Sequence, residues 1–155
     1  MTELELQMQV ADYLRLQYPG VLFHSDFGSG VKLTMGQAIK QKRLQGGRRS
    51  WPDMFIAEPK NVKAECKVIT DGDVIKEARF LEQKYGLFIE LKKAGTRIFK
   101  KDGTLVSDAH ICEQFDMLEQ LRRRGYMAEF ACGFDEAKKI IDEYLGGPKA
   151  EEVEF

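Results

Sequence analysis

The stretch Gly-Leu-Phe-Ile-Glu-Leu-Lys-Lys at residues 86–93 constrains this chain most. Leu87, Phe88, Ile89 and Leu91 make a near-continuous apolar run of strand length, the pattern of a central strand covered on both faces. Such a strand needs helices packed over the sheet, so the run points to α/β layering. Side chains alternate along a strand, which puts Glu90 and Lys92 on one face and Leu91 on the other. Burying a carboxylate and an ammonium is costly unless they pair or bind something. The two charges are therefore either an internal ion pair or part of a functional site.

The rest of the chain supplies the partners of that strand. Thr2 is placed to cap a helix carrying Leu6, Val10 and Leu14, which runs to Tyr18-Pro19-Gly20. Residues 21–26 read as a short strand, 27–30 as a turn and 31–45 as a basic helix ended by Gly46 and Gly47. Pro52 suits the start of a strand over 53–57. A second strand is expected over 62–69. Asp71 or Asp73 then caps an expected helix with Val74, Ile75, Ala78 and Leu81 on one side. A turn at 100–103 precedes a helix opened by Ser107 or Asp108, with Ile111, Phe115, Leu118 and Leu121 on one face. A strand over 126–132 and an amphipathic helix over Phe134–Leu145 follow. With no repeat and no linker, residues 1–146 are expected to form one mixed α/β domain, followed by a disordered acidic tail at 147–155.

Composition excludes several classes. A chain of 155 residues, 43% apolar and 32% charged, suits one globular domain. No run approaches the ~18 apolar residues of a membrane span. The N-terminal segment lacks the basic start and apolar stretch of a signal peptide, so a cytoplasmic location is expected. Cys66, Cys112 and Cys132 show no zinc or disulfide spacing and read as buried thiols in a reducing compartment. His24 and His110 have no metal-like partners and read as incidental. Net charge is −1, yet no Asp or Glu falls between Phe27 and Ser50, where Lys32, Lys40, Lys42, Arg43, Arg48 and Arg49 lie. Such a patch is suited to phosphates, against the plainer reading of a solvated loop.

Asp53 opens one expected strand, and Glu90 and Lys92 sit on another. Two carboxylates at the ends of neighbouring strands can share a hard divalent cation, which is satisfied by one or two carboxylates plus water and substrate phosphate. A lysine beside them can orient or deprotonate the attacking water and balance charge on a pentavalent phosphate. One Asp, one Glu and one Lys are thus the minimum set for metal-assisted phosphodiester hydrolysis. A second triplet, Glu65-Cys66-Lys67, competes for the role. Its neighbours are charged at Lys63, Glu65 and Lys67, as on a solvated face or a lysine-blunted edge strand. The apolar surroundings of Glu90-Leu91-Lys92 favour that triplet.

Ser-Trp-Pro-Asp-Met-Phe-Ile-Ala-Glu-Pro at 50–59, followed by the stretch from Gly86 to Thr96, resembles the PD-(D/E)xK nucleases, specifically the VRR-NUC domain family. The likeness includes the first helix and runs on through the last, leaving out only the tail, and is nearest to the compact stand-alone members often carried by phages. The resemblance implies a restriction-endonuclease-like fold with a central mixed sheet flanked by helices. It implies that Asp53 and Glu90 are metal ligands joined by the Leu91 backbone carbonyl, that the metal is Mg²⁺ or Mn²⁺, and that Lys92 is the catalytic lysine. It matches Gln114 to a family glutamine facing the active site. It matches Glu3 to an acidic position that helps organise water at the metal, with Glu5 as the rival. It further implies a homodimer cutting branched DNA such as four-way junctions (Holliday junctions) in a bacterial or phage-infected cell. Lys32, Lys40, Lys42, Arg43, Arg48 and Arg49 would then track the DNA backbone. A non-catalytic DNA-binding module on the same scaffold, and a structural domain in which Glu90 and Lys92 are only an ion pair, are the alternatives.

Overall fold

The computed structural model describes residues 1–27, 31–70 and 74–148, and of 66–70 and 74–78 the backbone alone. The elements run α1 (Glu3–Gln17), β1 (Phe23–Ser25), α2 (Met35–Leu44), β2 (Met54–Ile56), β3 (Lys60–Thr70), β4 (Val74–Lys84), β5 (Leu87–Lys92), α3 (Ala109–Arg123), β6 (Met127–Cys132) and α4 (Phe134–Leu145). The main sheet has the order β1-β2-β5-β6. β1–β2 and β2–β5 pair antiparallel, whereas β5–β6 pairs parallel through the α3 crossover. The result is a mixed central sheet flanked by helices.

Alternation along β5 divides the core. Leu87, Ile89 and Leu91 face Leu6, Val10 and Leu14 of α1 and Ala137 and Ile141 of α4. On the other face Phe88 packs with Met117, Leu118 and Leu121 of α3 and Ala128 of β6. The Glu90–Lys92 face is therefore the α3 face. Local signals account for the helices. Thr2 and Glu5 form a capping box on α1, Thr34 and Gln37 form one on α2, and Asp108 caps α3. α2 buries no residue.

The expected helix from Val74 is a strand instead. β3 and β4 form a separate two-stranded ribbon in continuous antiparallel register from Lys60↔Lys84 to Thr70↔Val74. Apolar residues at 74, 75, 78 and 81 fit a helical period, but cross-strand pairing with β3 outweighs that local preference. The sequence signal for the ribbon is Asp71-Gly72 between two strand-length runs, a common hairpin dipeptide. Asp71 and Asp73 themselves lie outside the described residues, as do 28–30 of the expected turn and 149–155 of the expected tail. Cys112 and Cys132 are free thiols, half-buried rather than buried, and they donate to the carbonyls of Val106 and Thr96. The Cys66 side chain lies outside the described residues. Among the described residues no helix is long and apolar enough to cross a membrane.

Candidate active site

The site forms where the chain enters β2 and β5 ends. Met54 pairs with Ile89, so Asp53, one residue earlier, comes opposite Glu90. Asp53 is anchored there because its Oδ2 accepts from the Leu91 amide at 2.7 Å. Even-numbered residues of β5 bond to β6, as the Met127 amide to Gly86 and the Gly133 amide to Lys92 show. Leu91 therefore directs its amide and carbonyl to the other edge, past the start of β2. Glu90, Lys92, Asp53 and Gln114 are only 4%, 7%, 7% and 5% exposed, so the chain carries a buried polar cluster among apolar strands.

The cluster is only partly self-satisfied. Lys92 Nζ lies 3.5 Å from Glu90 Oε1, and the Gln114 Nε2 donates to the same oxygen. Gln114 Oε1 is buried with no hydrogen-bond partner among the described residues. Burial pushes the Glu90 carboxyl up to about 9, and the Asp53 charge adds to that push against the pull of Lys92. Burial also raises Asp53 to about 6, opposed by the Leu91 amide and Lys92 and reinforced by Glu3 and Asp26. Burial outweighs the pull of Lys92 on both carboxylates.

A cleft of about 180 Å³ opens over this cluster, lined by Glu3, Asp26, Ser50, Trp51, His110 and Gln114 along with Asp53, Glu90 and Lys92. Glu3 reaches it from the first turn of α1, and Glu5 does not line it. The Glu5 carboxylate instead accepts from the Thr2 amide, and that bond holds it below the usual carboxylate range. Gln7, buried on α1, donates to Ser25 Oγ and to the Asp26 carbonyl at 2.7 Å, and the Asp26 amide donates to the Asp53 carbonyl at 2.9 Å. These bonds tie α1 and the end of β1 to the site. Asp26 and Trp51 are not among the candidate site residues read from the sequence, and His110, read there as incidental, also lines the cleft. Asp26 follows a three-residue strand and enters through the pairing of Ser25 with Met54, for which a single sequence holds no signal.

The other predicted positions lie outside the cleft. Lys32, Lys40, Lys42, Arg43, Arg48 and Arg49 are all exposed. Lys42 and Arg49 line a neighbouring groove that shares Gln41 and Gln45 with the cleft, and Arg48 bonds Gln120 on α3. Glu65 stands on the ribbon, paired with Arg79 at 3.3 Å in solvent. Apart from these positions, Arg122 pairs with Glu119 and Glu129 at the end of α3.

The donor set suits a hard cation. Asp53 and Glu90 offer carboxylate oxygens, Leu91 a carbonyl at the same edge, and Gln114 Oε1 an acceptor in need of a donor. Among the described residues no three His, Cys, Asp or Glu side chains are grouped to hold a metal. A cation here would complete its shell with water and phosphate, as Mg²⁺ commonly does.

A solved structure matches the chain from end to end. It is a "VRR_NUC domain protein", 21% identical, with a TM-score of 0.59, and the match covers 100% of this chain and 98% of that one. The fold is the VRR_NUC fold. At 21% identity the likeness is one of architecture. No protein-family model and no curated protein matches the sequence. In the VRR_NUC fold of this chain, Asp53, Glu90 and Lys92 stand together beneath one cleft, and Glu65 stands on a separate ribbon.

Proposed function

We propose that this chain is a divalent-cation-dependent endodeoxyribonuclease that acts on branched DNA such as four-way junctions. The carrying observation is the buried Asp53-Glu90-Lys92 set under an open cleft, in a chain with the VRR_NUC fold. Burying three ionisable side chains works against stability. A module that only bound DNA would need the exposed basic stretch and not that buried set.

Asp53, Glu90 and the Leu91 carbonyl would hold Mg²⁺ or Mn²⁺, which when bound supplies Lewis-acid polarisation of the scissile phosphate. Gln114 fixes the Glu90 carboxylate through its amide. Lys92, within reach of Glu90, orients the attacking water and balances charge developing on the phosphate. Glu3, at the cleft rim, orients water. Lys32, Lys40, Lys42, Arg43, Arg48 and Arg49 track the backbone without reading sequence. One site cuts one strand, so paired cuts across a junction require a homodimer with two-fold symmetry. The proposed setting is the cytoplasm of a bacterial or phage-infected cell.

The test is a panel of junction, flap, splayed-arm and duplex DNA with Mn²⁺ or Mg²⁺, beside light scattering at micromolar protein. Cutting of branched substrates that stops with chelator is expected, together with a dimer. Cutting in excess EDTA refutes the metal reading, and a strict monomer refutes junction resolution.

A further inference from the structure

Ser50 is the one non-glycine residue with positive φ among the described residues, at 65°. That left-handed conformation is disfavoured for a side chain with a Cβ and tends to persist where the surroundings hold it. Here the Ser50 hydroxyl bonds Glu113 of α3 at 3.3 Å. The turn sets Trp51 at the cleft, two residues before Asp53. Phe88 backs the indole at 6.4 Å between ring centroids, and Phe88 is itself stacked on Phe55 at 4.4 Å. Trp51 stays 39% exposed. A supported, part-exposed aromatic ring thus lies beside the buried carboxylates, two and three residues after exposed Arg49 and Arg48. It has the parts of a stacking site for single-stranded nucleic acid, namely a ring and flanking cations.

We propose that Trp51 is a stacking platform for an unpaired nucleobase next to the phosphodiester over Asp53 and Glu90, and that it steers the enzyme to interruptions in the duplex. The inference rests on the nuclease reading for its substrate class. Bases inside a continuous duplex are stacked on their neighbours and present no free face. An unpaired nucleotide at a junction or fork does. Stacking tolerates every base, so the selectivity is for structure and not for sequence.

Trp51 is the sole tryptophan in the chain, so its emission reports on this position alone when tyrosine is not excited. Full-length protein in Ca²⁺ is titrated with an end-labelled single-stranded oligonucleotide and with an abasic strand of equal length, and binding is followed separately by anisotropy of the label. Quenching of Trp51 by the base-bearing strand and not by the abasic strand is expected. Trp51→Ala should lower the ratio of base-bearing to abasic affinity by about 5- to 150-fold, and Trp51→Phe should retain most of it. Binding of the base-bearing strand without quenching, or an unchanged ratio in Trp51→Ala, overturns the platform. So does failure of both strands to bind. A chain that quenches but never cleaves keeps the platform and loses the nuclease, whereas one that cleaves without quenching does the reverse.

Discussion

Glu90→Gln separates the buried carboxylate from everything else in the site. In the metal-free protein burial, with the Asp53 charge beside it, pushes Glu90 up to about 9, against an ordinary 4.5. Between those values the folded chain holds a proton that the unfolded chain has released. The stability that Glu90 contributes is therefore fully present below about pH 4.5 and is lost as pH rises through 9. The limiting slope is about 1.4 kcal/mol per pH unit for one proton. Asp53 contributes in the same direction only up to its value of about 6. From pH 6 to pH 8 Glu90 dominates, and metal-free wild type should lose up to roughly 3 kcal/mol. Glu90→Gln imitates the protonated acid and should flatten that slope. Urea denaturation in EDTA at pH 6, 7 and 8 measures both proteins. A divalent cation favours the ionised acid, so binding at pH 7 should release about one proton per ion. Calorimetry in two buffers of different ionisation enthalpy counts it, and Glu90→Gln should release close to none. Equal slopes for the two proteins, with no proton released by wild type, would refute the account of a carboxylate held protonated until a cation arrives.

Lys92→Ala should still bind DNA in Ca²⁺ and lose roughly 10²–10⁴-fold in single-turnover cleavage, whereas Lys67→Ala should cut nearly as wild type. The reverse pattern would move the site to the ribbon. Replacing Lys42, Arg43 and Arg49 with Ala should reduce the salt dependence of DNA binding by roughly 0.9 in log–log slope for each phosphate no longer neutralised, read from affinities at several salt concentrations. A Cβ on Gly86 would lie 2.6 Å from the Phe55 ring and 2.8 Å from the Ile56 carbonyl. Gly86→Ala should therefore cost about 1–3 kcal/mol in denaturant unfolding.

Local chemistry made much of this legible. The apolar run around Glu90 identified β5 as central, and the period of Phe134–Leu145 matched α4 end to end. The pattern Pro52-Asp53 followed by Glu90-Leu91-Lys92 located the residues that the sheet register then brings together. What failed was decided by distant partners. Residues 74–84 carry helical spacing, but they pair with β3 along their whole length. Glu3 and Glu5 look alike in sequence and differ in space, because the capping box engages Glu5 and leaves Glu3 at the cleft. Asp26 and Trp51 reach the site through a strand pairing and a strained turn, and neither leaves a periodic trace.

The ribbon bears on how the chain assembles. Asp53 at the entry to β2 and Glu90 on β5 are the two acidic halves of the site, yet roughly thirty residues separate the strands, and closing a loop of that length before any pairing forms has an entropic cost. The ribbon makes the contact local. A hairpin closes in about 1–10 μs, and once Lys60 meets Lys84 only a few residues on either side separate that pair from Ile56 and Leu87. The remaining closure is then cheaper by about 1–2 kcal/mol. β3 and β4 thus act as a zipper whose closing draws Asp53 toward Glu90, so residues with no place in the chemistry still govern how quickly the chemistry can be built.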